Sequence, residues 1–276
     1  MKCAWKEFIA ILPQWMRQEV DKLGKDGLQE LRLRINAPPE LVLGNGSLWL
    51  CRNASGEDLQ FCINAASRYS PWAAETMEDG YLTAPGGHRI GLCGDVVIQN
   101  GSTCVLQKLH SLCIRIARDF PGVGKAVWMS DSMLILGAPG WGKTTMLRDI
   151  ARNLAENENV CVVDTRGELF PQGFARGKRM DVLTGCPKDR GVERVLRTMG
   201  PQWIAVDEIT GKEDCEALIR AVGCGVKLLA TAHAASRQDL VRRPVYKELI
   251  QMEVFSRLLI LNSAKEWHTE RMNECI

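Results

Sequence analysis

Residues 137–145 read Gly-Ala-Pro-Gly-Trp-Gly-Lys-Thr-Thr, which fills every position required by the phosphate-cradling pattern G-x-x-x-x-G-K-[ST]. Gly137, Gly140 and Gly142 let the backbone turn tightly, so that successive N–H groups can point at phosphate oxygens. Ala138, Pro139, Trp141 and Thr145 complete the loop that would wrap the anion. Lys143 would bring its ammonium to the β and γ phosphates of a bound triphosphate, and Thr144 would offer a hydroxyl to Mg²⁺. Just upstream, Met133-Leu-Ile-Leu136 is a short apolar run suited to a buried parallel strand. Downstream, Met146, Leu147, Ile150, Ala151 and Leu154 recur at helical spacing. A helix beginning at the loop would aim its positive dipole end at the same phosphates. Strand, glycine loop and helix in this order predict a nucleotide site.

Around the loop, apolar strands alternate with helices through the second half of the chain. Candidate strands cover 133–136, 160–163, 203–206, 227–231 and 257–261, and candidate helices cover 144–156, 192–199, 213–222 and 238–241. The alternation predicts an α/β domain with a parallel sheet covered on both faces. Strand tips along one edge of such a sheet converge on the ligand. Trp203-Ile-Ala-Val-Asp207-Glu208 is an apolar strand ending in two acids. Asp207 would stand just behind the direct ligands of Mg²⁺, and Glu208 would orient and deprotonate the attacking water. Val162-Val-Asp164-Thr-Arg166-Gly-Glu168 is a second strand ending in charge. Glu168 reads equally well as a second acid beside the water and as the partner of Arg166 in a surface ion pair. His233, after the apolar run Leu228-Leu-Ala230, is placed either to sense the γ-phosphate or to cap a strand end.

The first part, residues 1–118, reads as a smaller α+β domain. Its expected elements are a helix over 8–23, a strand over 28–35 and a hairpin over 41–51 turning at Asn45-Gly46. Helices around 59–68 and 71–78 follow, then strands within 81–83, 86–97 and 112–117. Asp119-Phe-Pro-Gly-Val-Gly-Lys125 breaks all periodicity and opens a linker over 119–130, leaving 131–276 as the nucleotide domain. Arg115 and Arg118 sit at that junction and Arg89 follows a Gly-Gly pair. A guanidinium from any of them could reach phosphates; taken singly each reads better as a solvated surface arginine, and it is as a set at a hinge that they point to the ligand.

The 276 residues carry a net charge of +2, which gives no general pull toward nucleic acid or anionic lipid. No stretch approaches 18 apolar residues, and the N-terminal apolar run stops at Pro13, too short for a secretory signal. A cytoplasmic protein is expected. Eleven cysteines without a C-x-x-C pair predict mostly reduced, buried thiols and neither a zinc site nor a disulfide framework.

The run from Leu196 to Ala234 is similar to the core of the type II and type IV secretion ATPases. Arg197, Asp207-Glu208 and His233 fall on that superfamily's pattern positions. Glu168 matches its acidic-box glutamate and Glu208 its Walker B glutamate. The chain as a whole resembles the stage III sporulation AA family. The matching stretches include Glu30-Leu-Arg-Leu-Arg-Ile35, Gly86-Gly-His-Arg-Ile-Gly-Leu-Cys-Gly94, Ile114-Arg-Ile-Ala-Arg118, Gly142-Lys-Thr-Thr-Met-Leu-Arg-Asp-Ile-Ala-Arg152 and Arg179-Met-Asp-Val-Leu-Thr-Gly-Cys-Pro-Lys188. The resemblance implies a RecA-like P-loop core behind an α+β N-terminal domain. It implies an ATPase at the mother-cell side of the membranes around a forespore, peripheral to the membrane. It implies a homo-hexameric ring with nucleotide between N-terminal domain and core, which would give Arg89, Arg115 and Arg118 a role. The implied partners are the membrane proteins of the stage III sporulation AA–AH channel. Ile209-Thr-Gly211 replaces the superfamily's usual Ile-Gly-Arg after the acids, which removes one arginine available for an intersubunit contact.

Three functions follow as expectations. The first is a Mg²⁺-dependent ATPase motor, with Lys143, Glu208 and Glu168 in catalysis and Thr144 and Asp207 at the metal. The second is a nucleotide-gated assembly scaffold with negligible turnover. The third is a nucleic-acid motor, disfavoured by the near-neutral charge and the lack of an aromatic–basic stripe.

Overall fold

The computed structural model describes residues 1–67, 80–99, 103–171 and 173–273. The chain divides into two compact units, Met1–Asp119 with Pro171–Gly173, and Phe120–Phe170 with Phe174–Ile276. The helix expected around 71–78 lies outside the described residues.

In the first unit, strands β1 (Leu28–Arg34), β2 (Glu40–Leu43), β3 (Gly46–Trp49), β4 (Tyr81–Thr83), β5 (Arg89–Gln99) and β6 (Thr103–Arg115) form an antiparallel sheet. Their order is β3-β2-β1-β6-β5-β4. Helices α1 (Trp5–Ala10), α2 (Gln14–Gly27) and α3 (Gly56–Ser67) supply the partner layer. Leu31 and Leu33 of β1 share a core with Ile90, Ile114, Phe8, Met16 and Leu59, while Arg32 and Arg34 turn the other way. This is the alternation the sequence displays. Pro13 divides the helix expected over 8–23 into α1 and α2, because its ring fixes an extended N-cap for the second helix. The β2–β3 turn falls on Gly44-Asn45, one residue earlier than expected, since Gly46 already pairs with Leu43. The expected strands over 86–97 and 112–117 belong to one long hairpin, β5–β6. Register shifts at Cys93/Gly94 and Asp95/Val96 break the period-two pattern that would have revealed it.

In the second unit, β7 (Met133–Leu136), β8 (Val160–Asp164), β9 (Met180–Thr184), β10 (Trp203–Val206), β11 (Lys227–Ala232), β12 (Arg257–Leu261) and β13 (Trp267–Arg271) form one sheet. The order is β13-β12-β7-β11-β10-β8-β9, parallel except for β13. Met133, Ile135, Val162 and Leu229 face Met146, Leu147 and Ile150 of helix α4 (Lys143–Leu154). The alternate residues Leu134, Leu136, Val163 and Leu228 pack with Val192 of α5 (Lys188–Thr198) and Leu218 of α6 (Lys212–Gly223). Burial on both faces explains why these strands are continuous apolar runs. The edge strands β9 and β13 are half-exposed, carry Asp181, His268 and Glu270, and gave no such signal. Two further short helices, α7 (Arg237–Arg242) and α8 (Lys247–Gln251), precede β12.

Part of the expected linker is tied down within this unit. The N–H groups of Gly122 and Gly124 donate to Asp149 Oδ2 at 2.9 and 2.7 Å, and Asp149 also pairs with Arg152 at 2.7 Å. Among the described residues no helix is long and apolar enough to cross a membrane. The described cysteines are free, yet only Cys62, Cys161 and Cys215 are buried, fewer than expected.

Candidate active site

Strand β7 delivers the chain into the loop of residues 137–142, and α4 starts at Lys143. Gly140 and Gly142 take φ of 79° and 100°, left-handed values that favour glycine. Nothing lies within 4 Å of where a Cβ on either would stand, so backbone conformation and not crowding is what calls for glycine there. Gly142 is the N-cap of α4 and no side chain caps that end. Lys143 is 7 % exposed, and its Nζ donates to the Ala138 carbonyl at 3.2 Å and to His233 Nδ1 at 3.1 Å. Burial pushes its pKa below the ordinary lysine value, against the opposing pull of Glu208 and then Asp207.

The two acids leave the tip of β10 and meet the tip of its neighbour β11. Thr144 Oγ1 donates to Asp207 Oδ2 at 3.1 Å, and Thr231 Oγ1 donates to Asp207 Oδ1 at 2.7 Å. The Thr231 hydroxyl also accepts the Glu208 N–H at 2.8 Å. Glu208 has φ of 41°, an uncommon left-handed conformation for a non-glycine residue. Its Oε1 lies 3.0 Å from His233 Nε2. At the next tip, that of β8, buried Asp164 accepts N–H bonds from Glu168 at 2.9 Å, Leu169 at 2.9 Å and Phe170 at 3.1 Å. Desolvation pushes the Asp164 carboxyl up to about 6, opposed by the Phe170 and Leu169 N–H groups and reinforced by nearby Asp207. Thr144, Asp164, Glu168, Asp207 and Glu208 line one cavity of about 480 Å³.

The expected site residues therefore fall into two groups. Lys143, Thr144, Asp207, Glu208 and His233 are linked, and Glu168 faces the same cavity with Arg166. Arg89, Arg115 and Arg118 belong to the first unit. Arg115 pairs with Glu30 at 3.2 Å and Arg89 stacks over Tyr81 at 4.3 Å. The Arg118 guanidinium donates to the carbonyls of Lys25 and Leu28, holding the end of α2 to the start of β1. Arg197 pairs with Glu193 at 3.1 Å on the exposed side of α5 and does not line the cavity. Sequence reasoning gave no role to Thr231 or Asp164, which hold the acids and the Glu168 backbone. A buried threonine or aspartate ending an apolar strand was the available signal. Thr144 and Asp207 offer the hard oxygen donors that Mg²⁺ prefers, and no cluster of three or more His, Cys, Asp or Glu groups among the described residues suits a metal. The Thr144 and Asp207 oxygens fit Mg²⁺, which completes its shell with phosphate and water.

Residues 6–271 match the family described as sporulation stage III, protein AA. The chain belongs to this family. It is 35% identical to stage III sporulation protein AA of Bacillus subtilis (strain 168), over 94% of this chain and 91% of that protein. Among solved structures it is similar to the ATPase DotB of Legionella pneumophila, with TM-score 0.58, 18% identity, and 94% and 80% of the two chains covered. It is also similar to the pilus retraction motor PilT, solved with bound ADP, with TM-score 0.64, 14% identity, and 93% and 83% covered. These likenesses show the fold, that of the RecA-like secretion ATPases.

Proposed function

We propose that this chain is a Mg²⁺-dependent ATPase motor that energises a secretion-like channel between mother cell and forespore. The observation that carries the reading is the pair of links that join the loop after β7 to the acids after β10, Thr144 to Asp207 and Lys143 through His233 to Glu208. Membership of a sporulation family supports placing it in that setting. The N–H groups of residues 137–145 and the start of α4 would cradle the phosphates, with Lys143 neutralising the β and γ oxygens. Thr144 Oγ1 and Asp207 would hold Mg²⁺, which when bound withdraws charge from the phosphoryl oxygens. Glu208 would take the proton of the attacking water onto its carboxylate, and Glu168 would help to orient that water across the cavity. Thr231 keeps Asp207 turned toward Thr144. Rate enhancement then comes from positioning and charge neutralisation.

Beyond the site, the reading has the chain act as a homo-hexamer, peripheral to the mother-cell face of the forespore membranes and docked on the membrane proteins of the AA–AH channel. Arg89 and Arg115 occupy paired positions on β5 and β6, and the Arg115 side chain is 66% exposed. In this reading Arg89, Arg115 and Arg118 are the candidates to meet phosphate from a neighbouring chain, and Arg118 would first have to leave the backbone carbonyls it now holds. A near-neutral net charge supports a partner other than nucleic acid. Phosphate release from assembled protein tests the proposal. Lys143→Ala should abolish both nucleotide binding and turnover, and Glu208→Gln should keep binding while losing about 100-fold or more in rate. Equal release from the wild type and both variants would eliminate it, and binding without turnover in the assembled wild type would favour the scaffold.

A further inference from the structure

His233 stands between the group that would bind phosphate and the group that would activate water. Its Nδ1 is 3.1 Å from Lys143 Nζ, and its Nε2 is 3.0 Å from Glu208 Oε1. An ammonium has donors and no acceptor, so the bond from Lys143 needs a lone pair on Nδ1. The ring proton then sits on Nε2, pointing at the carboxylate. The bond made at one imidazole nitrogen sets what the other presents. Glu208 itself holds an uncommon backbone φ of 41°. Thr231 Oγ1 fixes its N–H at 2.8 Å, and His233 fixes its carboxylate.

The geometry points to His233 as a positioning residue through which Lys143 sets the direction of the Glu208 carboxylate. Lys143 thereby does a second job beside phosphate binding. It selects the imidazole tautomer that donates to Oε1, and Oε2 is left to receive the proton of the attacking water. Alternative roles for a histidine here make different demands. A phosphate sensor would act through affinity, and a strand-end cap through stability. The positioning role acts on the rate of the chemical step. The inference rests on the proposed hydrolysis, so its test must separate the two.

Two measurements do this. The ¹⁵N signals of His233 in the unmutated protein, assigned by their loss in His233→Gln, report which nitrogen carries the proton. We expect the proton on Nε2 and a bare Nδ1, as the bond from Lys143 requires, and a weakened preference in Lys143→Ala. A doubly protonated ring, or a proton on Nδ1, overturns the inference whatever the catalytic rates. The second measurement compares kcat and nucleotide affinity across three variants. His233→Gln keeps an amide N–H where Nε2 stands and should stay within a few-fold of the wild-type kcat. His233→Ala, and His233→Asn whose amide is too short to reach Glu208, should lose about 10- to 100-fold in kcat. Nucleotide affinity should change little in all three. Wild-type turnover by His233→Ala, equal losses in the Gln and Ala variants, or a loss confined to affinity would each contradict the assignment. If Lys143→Ala and Glu208→Gln hydrolyse ATP like the wild type, the hydrolysis reading itself falls. If they fail while His233→Ala retains full kcat, only the positioning role falls.

Discussion

Asp164 accepts three backbone N–H groups from the turn that carries Glu168, in a position 2 % exposed. Desolvation lifts its carboxyl from the ordinary 3.8 to about 6. The folded chain thus holds this proton to higher pH than the unfolded chain does. The associated stability is complete below about pH 4 and is lost as pH rises through 6. The span corresponds to about 3 kcal/mol at ~1.4 kcal/mol per pKa unit. Urea unfolding of the wild type and Asp164→Asn between pH 4 and 7 checks it. The wild type should lose stability relative to the variant between pH 4 and 6, and the difference should be level near pH 7. A relative gain over that window would mean that the N–H bonds outweigh desolvation.

Helix α4 does more than present its first turn to the phosphate loop. Arg148, 6 % exposed, donates to the carbonyls of Leu169 and, at 2.8 Å, of Glu168, and stacks over Phe174 at 4.8 Å. The helix that starts at Lys143 thereby holds the segment bearing Glu168. Arg148→Met keeps much of the bulk but strands those carbonyls, so it should cost about 3 kcal/mol in unfolding free energy. A cost near zero would show that solvent satisfies the carbonyls instead. Elements of this kind differ in how far the sequence reveals them. The central strands β7, β8, β10, β11 and β12 are legible because both of their faces are buried. The loop of residues 137–145 is legible because phosphate geometry demands particular residues. Strands β9 and β13 are not, since a sheet edge tolerates polar side chains and loses the apolar run. The bulged hairpin β5–β6 hides for a different reason, a period broken mid-strand. At the site, Lys143, Thr144, Asp207 and Glu208 stand out by type and spacing. Thr231, Asp164 and Arg148 act through contacts made only when distant strands and helices meet, which no local pattern encodes.

At the scale of the whole molecule, the proposed homo-hexamer makes a prediction of its own. With Mg²⁺ and a non-hydrolysable ATP analogue, light scattering should show the mass moving from the single 30.8 kDa chain toward a six-chain assembly. Glu208→Gln should assemble under the same conditions, because it removes the proton acceptor and spares the phosphate contacts. A monomer at every ligand and protein concentration would contradict the ring and leave Arg89 and Arg115 without phosphate to meet from a neighbour. The central claim is that the loop around Lys143 and the acids at the tip of β10 serve one nucleotide. A crystal structure of Glu208→Gln grown with Mg²⁺ and ATP tests it most directly. The account predicts the γ-phosphate against Lys143 Nζ, the metal on Thr144 Oγ1, and Asp207 and residue 208 facing that metal and the adjacent water. Nucleotide bound elsewhere, or bound at the loop with the side chains of 207 and 208 turned away from it, would contradict the account.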